Sequence, residues 1–177
     1  MAAYSVTKMQ KLLVQGADKS LTTKARGDAL EELFCYLLEE LPGVRTRRNS
    51  IDRFKSAEID IAVVNRKVAE WLCAFPHLFL VERKNWDKPV DSATVGAFKT
   101  KLDNRSIELG IIVAANGITG DEHDRMNAHH IVDLAQAANR RILVVTLKQI
   151  EDIRTTQDFE SLLVDRLLTL AATGGSF

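Results

Sequence analysis

The chain has 177 residues, and its 24 basic and 24 acidic residues give a formal net charge of zero at pH 7. A neutral chain is not expected to coat nucleic acid through its overall field, although basic residues can still gather on one face. With 46% hydrophobic and 27% charged residues, the composition is typical of a globular domain.

Membrane, secreted and disulfide-rich classes are also disfavoured. No apolar run approaches the roughly 20 residues that span a bilayer. The first residues lack the charged and then apolar pattern of a secretory signal, and Cys35 and Cys73 are too few and too isolated for a disulfide framework or a zinc knuckle. We therefore expect a cytoplasmic protein with no membrane segment, folded as a single domain over 1–177 with a core at about 23–153.

Helical and strand-like patterns alternate along the chain. Helical spacing of apolar residues predicts helices over about 5–15, 23–41, 91–102, 121–138 and 157–171. Apolar runs predict buried strands over 58–64, 77–84, 109–115 and 142–147, after a polar strand over 44–48. Continuous apolar strands that alternate with helices are typical of a sheet covered on both faces, so we predict an α/β fold.

Acidic residues interrupt two of the apolar strands. Asp60 lies in the first, and the second ends in Glu82-Arg83-Lys84, the only acidic-x-Lys triplet of the sequence. Glu82 and Lys84 share one face of the strand, with Cα atoms roughly 6 to 7 Å apart. Because burying carboxylates is unfavourable unless a cation or a partner satisfies them, the pattern indicates a divalent-metal site.

The order of these motifs resembles that of the PD-(D/E)xK restriction-endonuclease-like nucleases, and most closely their Mrr-type branch. The resemblance rests on segments 26–31, 58–61, 81–84, 110–119 and 142–145. Where many relatives have an Asp shortly before the metal-binding Asp, this chain has Glu58, and no proline lies beside Asp60. The resemblance implies a restriction-endonuclease-like core, with a central mixed β-sheet flanked by helices on both faces.

The same resemblance implies an Mg²⁺-dependent endonuclease that hydrolyses phosphodiester bonds in DNA, with Mn²⁺ able to substitute, in restriction or anti-phage defence. Asp60, Glu82 and the backbone carbonyl of Arg83 would bind the metal. Lys84 would orient or deprotonate the attacking water and stabilise charge in the transition state. Glu31, in the first helix motif, would hold a metal-bound water or a second ion.

Other interpretations of these residues stay open. Asp60 could pair with an arginine, Glu82 and Lys84 could form a simple ion pair, and Glu31 could lie on a solvated helix face. The same core could also serve a Holliday-junction or repair nuclease. A catalytically idle nuclease fold that acts as a binding or assembly subunit is a further alternative.

Basic residues precede the Asp60 strand and could line a groove for DNA phosphates. They are Arg45, Arg47, Arg48 and Lys55. A solvated edge strand is the alternative explanation. Because the chain has no separate reader of base sequence, we expect a homodimer or a partner protein to supply specificity.

Two further groups of residues are candidates for sites. Trp71, Leu72 and Phe75 could form such an interface or pack in the core. His123, His129 and His130 could suggest a transition metal, but the last two diverge by about 100° on a helix. A histidine metal site is therefore disfavoured.

Overall fold

Five strands form one mixed sheet whose spatial order follows the chain, β1-β2-β3-β4-β5. The computed structural model describes residues 2–51, 58–84, 88–118 and 122–173. The strands are β1 Val44–Ile51, β2 Glu58–Asn65, β3 Leu78–Lys84, β4 Leu109–Ala114 and β5 Arg141–Thr146. The ladders joining β1, β2 and β3 are antiparallel, and those joining β3, β4 and β5 are parallel. The central strand β3 therefore has an antiparallel neighbour on one side and a parallel neighbour on the other.

Helices cover both faces of this sheet, which confirms the predicted α/β arrangement. They are α1 Val6–Ala17, α2 Thr23–Glu39, α3 Ser92–Asn104, α4 Glu122–Ala137, α5 Leu147–Glu151 and α6 Thr156–Thr173, with a 3₁₀ helix at Glu70–Ala74. Adjacent residues of β3 identify the two layers, because Arg83 contacts Glu31 of α2 and Glu82 contacts Lys101 of α3. Successive side chains of a strand point to opposite faces, so α2 and α3 lie on opposite sides of the sheet.

Capping and apolar packing fix α2 against the sheet. The helix begins after Thr22, whose side-chain oxygen accepts a hydrogen bond from the Ala25 amide at 3.1 Å. Its Phe34 ring meets Phe159 of α6 edge-on, with ring centroids 6.0 Å apart, so α6 lies on the same side of the sheet. After the helix the chain turns at Gly43, whose φ of 80° is in the left-handed region that favours glycine.

The two faces of β2 differ in burial, and this difference defines the site. Ile59, Ile61 and Val63 are buried, whereas Glu58 and Val64 are exposed. Ile61 is paired with Val81 of β3, whose side chain shares a face with Arg83, so the buried row faces α2. We call this side of β1–β3 the α2 face. The opposite side, which carries Asp60, is the Asp60 face.

Observed bounds agree with most predicted elements, with three errors. The predicted strand over 44–48 is too short, because β1 continues to Ile51 in its ladder with β2. The predicted end of α1 near residue 15 is wrong, because the helix continues to Ala17 and buries Gly16, where any side chain would collide with Leu30. The predicted strand over 142–147 is wrong at its end, because α5 begins at Leu147. A capping box between Thr146 and Gln149 starts that helix.

A single hydrophobic cluster extends from Tyr4 at the N-terminus to Leu170 in α6. It includes residues of β2, β3, β4 and β5, and every residue of β4 is buried. The cluster thus holds the central strands in place, and the polar ends of β2 and β3 are anchored to it.

Within the described ranges, no helix is both long and apolar enough to cross a bilayer.

Candidate metal centre and nucleic-acid interface

Asp60 and Glu82 meet across the β2–β3 ladder. The ladder pairs Ile61 with Val81, so the next residues outward, Asp60 and Glu82, lie opposite each other and share the Asp60 face. The Arg83 amide donates a hydrogen bond to Asp60 Oδ2 at 2.8 Å, which ties the carboxylate to the end of β3. The structure therefore brings together the two predicted carboxylate ligands.

Burial and mutual repulsion disfavour the ionised form of Asp60. Together they raise its pKa from 3.8 to about 6, with burial as the larger cause and the nearby Glu82 carboxylate as the second. The Arg83 amide opposes this shift because it donates to the ionised carboxylate. A cation between the two carboxylates would relieve the repulsion, and carboxylate oxygens are the hard ligands that Mg²⁺ prefers.

The Arg83 backbone completes the predicted set of oxygen ligands. In a strand, the amide and carbonyl of one residue point to the same side, and the Arg83 amide reaches Asp60 of β2. The neighbouring Lys84 carbonyl instead accepts from Ala115, on the β4 side. The Arg83 carbonyl is thus directed toward β2, where Asp60 lies.

Two lysine ammonium groups cover the Glu82 carboxylate, which is only 4% exposed. Lys84 Nζ lies 3.0 Å from Glu82 Oε1, so the predicted catalytic lysine contacts the predicted metal ligand. Lys101 Nζ of α3 lies 2.8 Å from both carboxylate oxygens. The Lys84 contact agrees with the simple ion-pair alternative, and Lys101 is a second cation that none of the sequence motifs includes.

Lys101 reaches Glu82 because α3 packs very closely on β4. Phe98 of α3 rests on Gly110, where any side chain would collide with its ring, and Leu102 is fully buried. The apolar spacing predicted this buried stripe, and Lys101 lies at its border. Helical periodicity predicts the helix but does not tell whether such a lysine turns to solvent or to the sheet.

Glu31 is held on the α2 face, away from Glu82. Its carboxylate is 1% exposed and pairs with Arg83 Nε at 2.9 Å and Arg48 Nε at 3.4 Å. Arg48 also donates to the Asp28 carbonyl at 3.0 Å. The glycine of the first helix motif has a steric role here, because any side chain at Gly27 would collide with the Arg83 guanidinium. Glu31 is thus a buried, ion-paired residue. Its role in holding a metal-bound water or a second ion stays a prediction.

The predicted DNA-contacting residues divide between the two faces. Arg45 and Arg47 are exposed and pair in register with Val64 and Ala62, so they share the Asp60 face. Arg48 points to the α2 face, where it pairs with Glu31. Lys55 lies outside the described residues. Two arginines of the edge strand β1 thus lie in a row on the Asp60 face, with Arg47 opposite Ala62 and Arg45 opposite Val64, farther along β2 from Asp60.

The described residues among the remaining candidates do not converge on a second site. Leu72 and Phe75 are buried in the core, and half-buried Trp71 packs edge-on against Phe75, with ring centroids 5.6 Å apart. His129 is half-buried and His130 is exposed; the side chain of His123 lies outside the described residues. Among the described side chains, no three His, Cys, Asp or Glu groups converge to hold a metal. On the Asp60 face, a divalent cation would have the two carboxylates as ligands. A backbone carbonyl and water would have to supply the remaining ligands.

No protein-family model matches the chain, and no curated protein shows significant sequence similarity to it.

Proposed function

We propose that the chain is an Mg²⁺-dependent endonuclease with a restriction-endonuclease-like core that hydrolyses phosphodiester bonds in DNA. The observation that carries the proposal is the position of Asp60 opposite Glu82 across the β2–β3 ladder, with Lys84 in contact with Glu82. Asp60, Glu82 and the Arg83 carbonyl would hold the cation. A bound Mg²⁺ neutralises phosphate charge and lowers the pKa of water, so that hydroxide is available near neutral pH.

The side chains of the site supply orientation and charge around the reacting phosphate. Lys84 is on the same face of β3 as Glu82, so its ammonium group can orient the attacking water and stabilise the negative charge that develops on the phosphate. The fixed Arg83 amide keeps the Asp60 carboxylate at the strand end. Exposed Arg45 and Arg47 lie on the same face, where phosphates of the bound strand can reach them.

The order of helices and strands supports the restriction-endonuclease-like part of the proposal. A helix that carries the acidic motif precedes three antiparallel strands, and two parallel strands follow with helices between them. The role in restriction or anti-phage defence follows from the motif resemblance, and a homodimer or partner protein would supply specificity.

A second candidate function is a catalytically idle nuclease fold that acts as a binding subunit. Its supporting observation is that Lys84 and Lys101 both contact Glu82. Two cations on one carboxylate neutralise the charge that a metal would otherwise neutralise. The two candidates differ in whether the site loads a divalent cation and cleaves DNA.

A cleavage assay with site variants tests the proposal. Supercoiled, linear and single-stranded DNA are incubated with Mg²⁺, Mn²⁺ or EDTA. We expect metal-dependent cleavage that falls by about 10²- to 10⁴-fold in Asp60→Ala and in Lys84→Ala, the scale on which catalytic groups contribute. Exposed Asp133, and Lys99, which pairs with Asp103, provide controls that remove the same charges, as Asp133→Ala and Lys99→Ala.

Circular dichroism establishes that each variant is folded. Wild-type cleavage rates in either site variant would overturn the mechanism. No cleavage by wild-type protein with any metal or DNA form would favour the idle binding subunit.

A further inference from the structure

We propose that Lys101 is a positioning residue that holds the Glu82 carboxylate in the metal-free protein and must leave it before a divalent cation binds. Lys101 would thereby set the cation concentration at which the site loads. The inference rests on the proposed function, because it assumes that Glu82 is a metal ligand. It adds a residue that none of the sequence motifs includes.

The contact geometry places Lys101 where a cation would bind. Its Nζ atom lies 2.8 Å from both Oε1 and Oε2 of Glu82, so it occupies the position between the two carboxylate oxygens. A divalent ion bound to Glu82 would approach the same oxygens to about 2.1 Å. Two cations cannot share that space without strong repulsion, so metal binding requires Lys101 to withdraw.

The two ammonium groups on Glu82 differ in how they are held. Glu82 contacts those of Lys84 and Lys101. Lys84 is anchored two residues away on the same strand and contacts only one of the carboxylate oxygens in the contacts described, at 3.0 Å. Lys101 approaches from a different element, so its withdrawal leaves β3 unchanged.

The surroundings of Lys101 permit such a movement. Its backbone is fixed, because Phe98 and Leu102 are buried and Asp91 caps the start of α3. Its side chain is 20% exposed, so the flexible stem can move the ammonium group into water. The helix supplies a rigid base, and the side chain supplies a displaceable group.

A titration with Mn²⁺ alone tests the proposal. Free Mn²⁺ is measured by electron paramagnetic resonance in solutions of the 177-residue wild-type chain, K101Q, K99Q and D60N. We expect K101Q to bind Mn²⁺ about tenfold more tightly than wild type, the scale of one hydrogen bond to a charged group. The matched control is K99Q, which removes the same charge from α3 where Lys99 pairs with Asp103. Its affinity should stay within about twofold of wild type.

The outcomes separate this inference from the proposed function. Wild-type binding that D60N abolishes, combined with equal or weaker binding in K101Q, overturns the role of Lys101 and leaves the proposed function standing. Absence of Asp60-dependent binding in both wild type and K101Q overturns both. Binding that is detectable only in K101Q supports the proposal, because the lysine then prevents loading.

A second measurement uses only wild-type protein, so it does not depend on the folding of a variant. The chain is labelled with an amine-reactive ester with and without Mn²⁺, and peptides are quantified by mass spectrometry. We expect labelling of Lys101 to rise severalfold when Mn²⁺ is bound, while labelling of Lys99 is unchanged. A merely structural Lys101 would stay on Glu82, and equal labelling in the two conditions would contradict the displacement.

Discussion

The two faces of the sheet at the end of β3 hold their carboxylates with different cations. On the α2 face, the guanidinium groups of Arg48 and Arg83 pair with Glu31. On the Asp60 face, ammonium groups pair with Glu82. A guanidinium is a rigid planar fork, whereas an ammonium is a point charge on a flexible stem. The α2 face is therefore suited to hold its carboxylate permanently, and the Asp60 face to exchange one cation for another.

Arg83 connects the two faces. Its side chain pairs with Glu31, while its backbone amide donates to Asp60. The Glu31 pair thus fixes the residue whose backbone supports the candidate metal site. We infer that a buried ion pair on one face keeps the end of β3 in position for chemistry on the other.

The largest expected effect on stability comes from Glu31→Gln. This change removes the carboxylate that holds both guanidinium groups, and we expect it to lower the free energy of unfolding by about 1–3 kcal/mol, the scale of hydrogen bonds to charged groups. Glu82→Gln should lower it by less than about 1 kcal/mol, because the change also removes repulsion with Asp60. Urea unfolding at pH 7 with EDTA measures both.

Equal destabilisation by Glu31→Gln and Glu82→Gln would contradict the proposed difference between the two faces. The rate of DNA cleavage by the folded Glu31→Gln protein tests the role of Glu31 directly. A rate within about tenfold of wild type indicates a purely supporting role for Glu31. A loss of about 10²-fold or more would instead support the predicted role in holding a metal-bound water or second ion.

Asp60→Asn should stabilise the metal-free fold, with a gain that depends on pH. Because the folded-state pKa of Asp60 is raised from 3.8 to about 6, its protonated form favours the fold, and that stability is lost as pH rises between these values. At pH 3 we expect Asp60→Asn to have the same free energy of unfolding as wild type. The difference should grow between about pH 4 and 6 and reach about 1–2 kcal/mol at pH 7, a value that allows for the partial exposure of Asp60. Mg²⁺ should then stabilise wild type but not the variant.

Urea unfolding across this pH range, with EDTA and with Mg²⁺, measures both effects. A gain in the free energy of unfolding that is constant from pH 3 to 7 would show that the pKa of Asp60 is not raised in the folded protein. The matched variant Asp133→Asn changes an exposed carboxylate on α4 and should show no such pH dependence.

The sequence predicted the fold well because its dominant signals are local. Apolar runs marked the four strands β2 to β5, and helical spacing marked the long helices. Residue spacing on a strand also predicted that Glu82 and Lys84 share a face, and their 3.0 Å contact agrees with it. The five-residue helix α5 was missed because Leu147 continues the apolar run of β5 and five residues are too few to show helical periodicity.

The long-range pairings were harder to predict. Lys101 belongs to a helix whose depth on the sheet depends on Gly110, a glycine in another strand. The division of Arg47 and Arg48 between the two faces follows from strand alternation, but which face carries α2 depends on the full topology. Contacts between different elements can be identified only in the assembled structure, whereas the alternation of side chains along one strand can be predicted from the sequence.

The smallest expected effect concerns the exposed arginines of β1, whose row extends the Asp60 face toward the sheet edge. Arg45 and Arg47 are on the carboxylate side of the sheet, and Arg48 is on the other, paired with Glu31. Each phosphate contact releases counterions and contributes a slope of about −0.9 to the plot of log binding constant against log salt concentration. Replacing Arg45 and Arg47 together by Gln should therefore flatten that slope by about one to two units. The loss should be the same for any DNA sequence, because phosphate contacts carry no base information.

Fluorescence anisotropy with two unrelated duplexes, between low and moderate salt, measures the slope. Ca²⁺ is present to prevent cleavage. The comparison variant is Lys99→Gln, which removes a charge from α3 and should leave the slope unchanged. An unchanged slope in the double arginine variant would mean that these residues only solvate an edge strand, and that DNA approaches the carboxylates from another side.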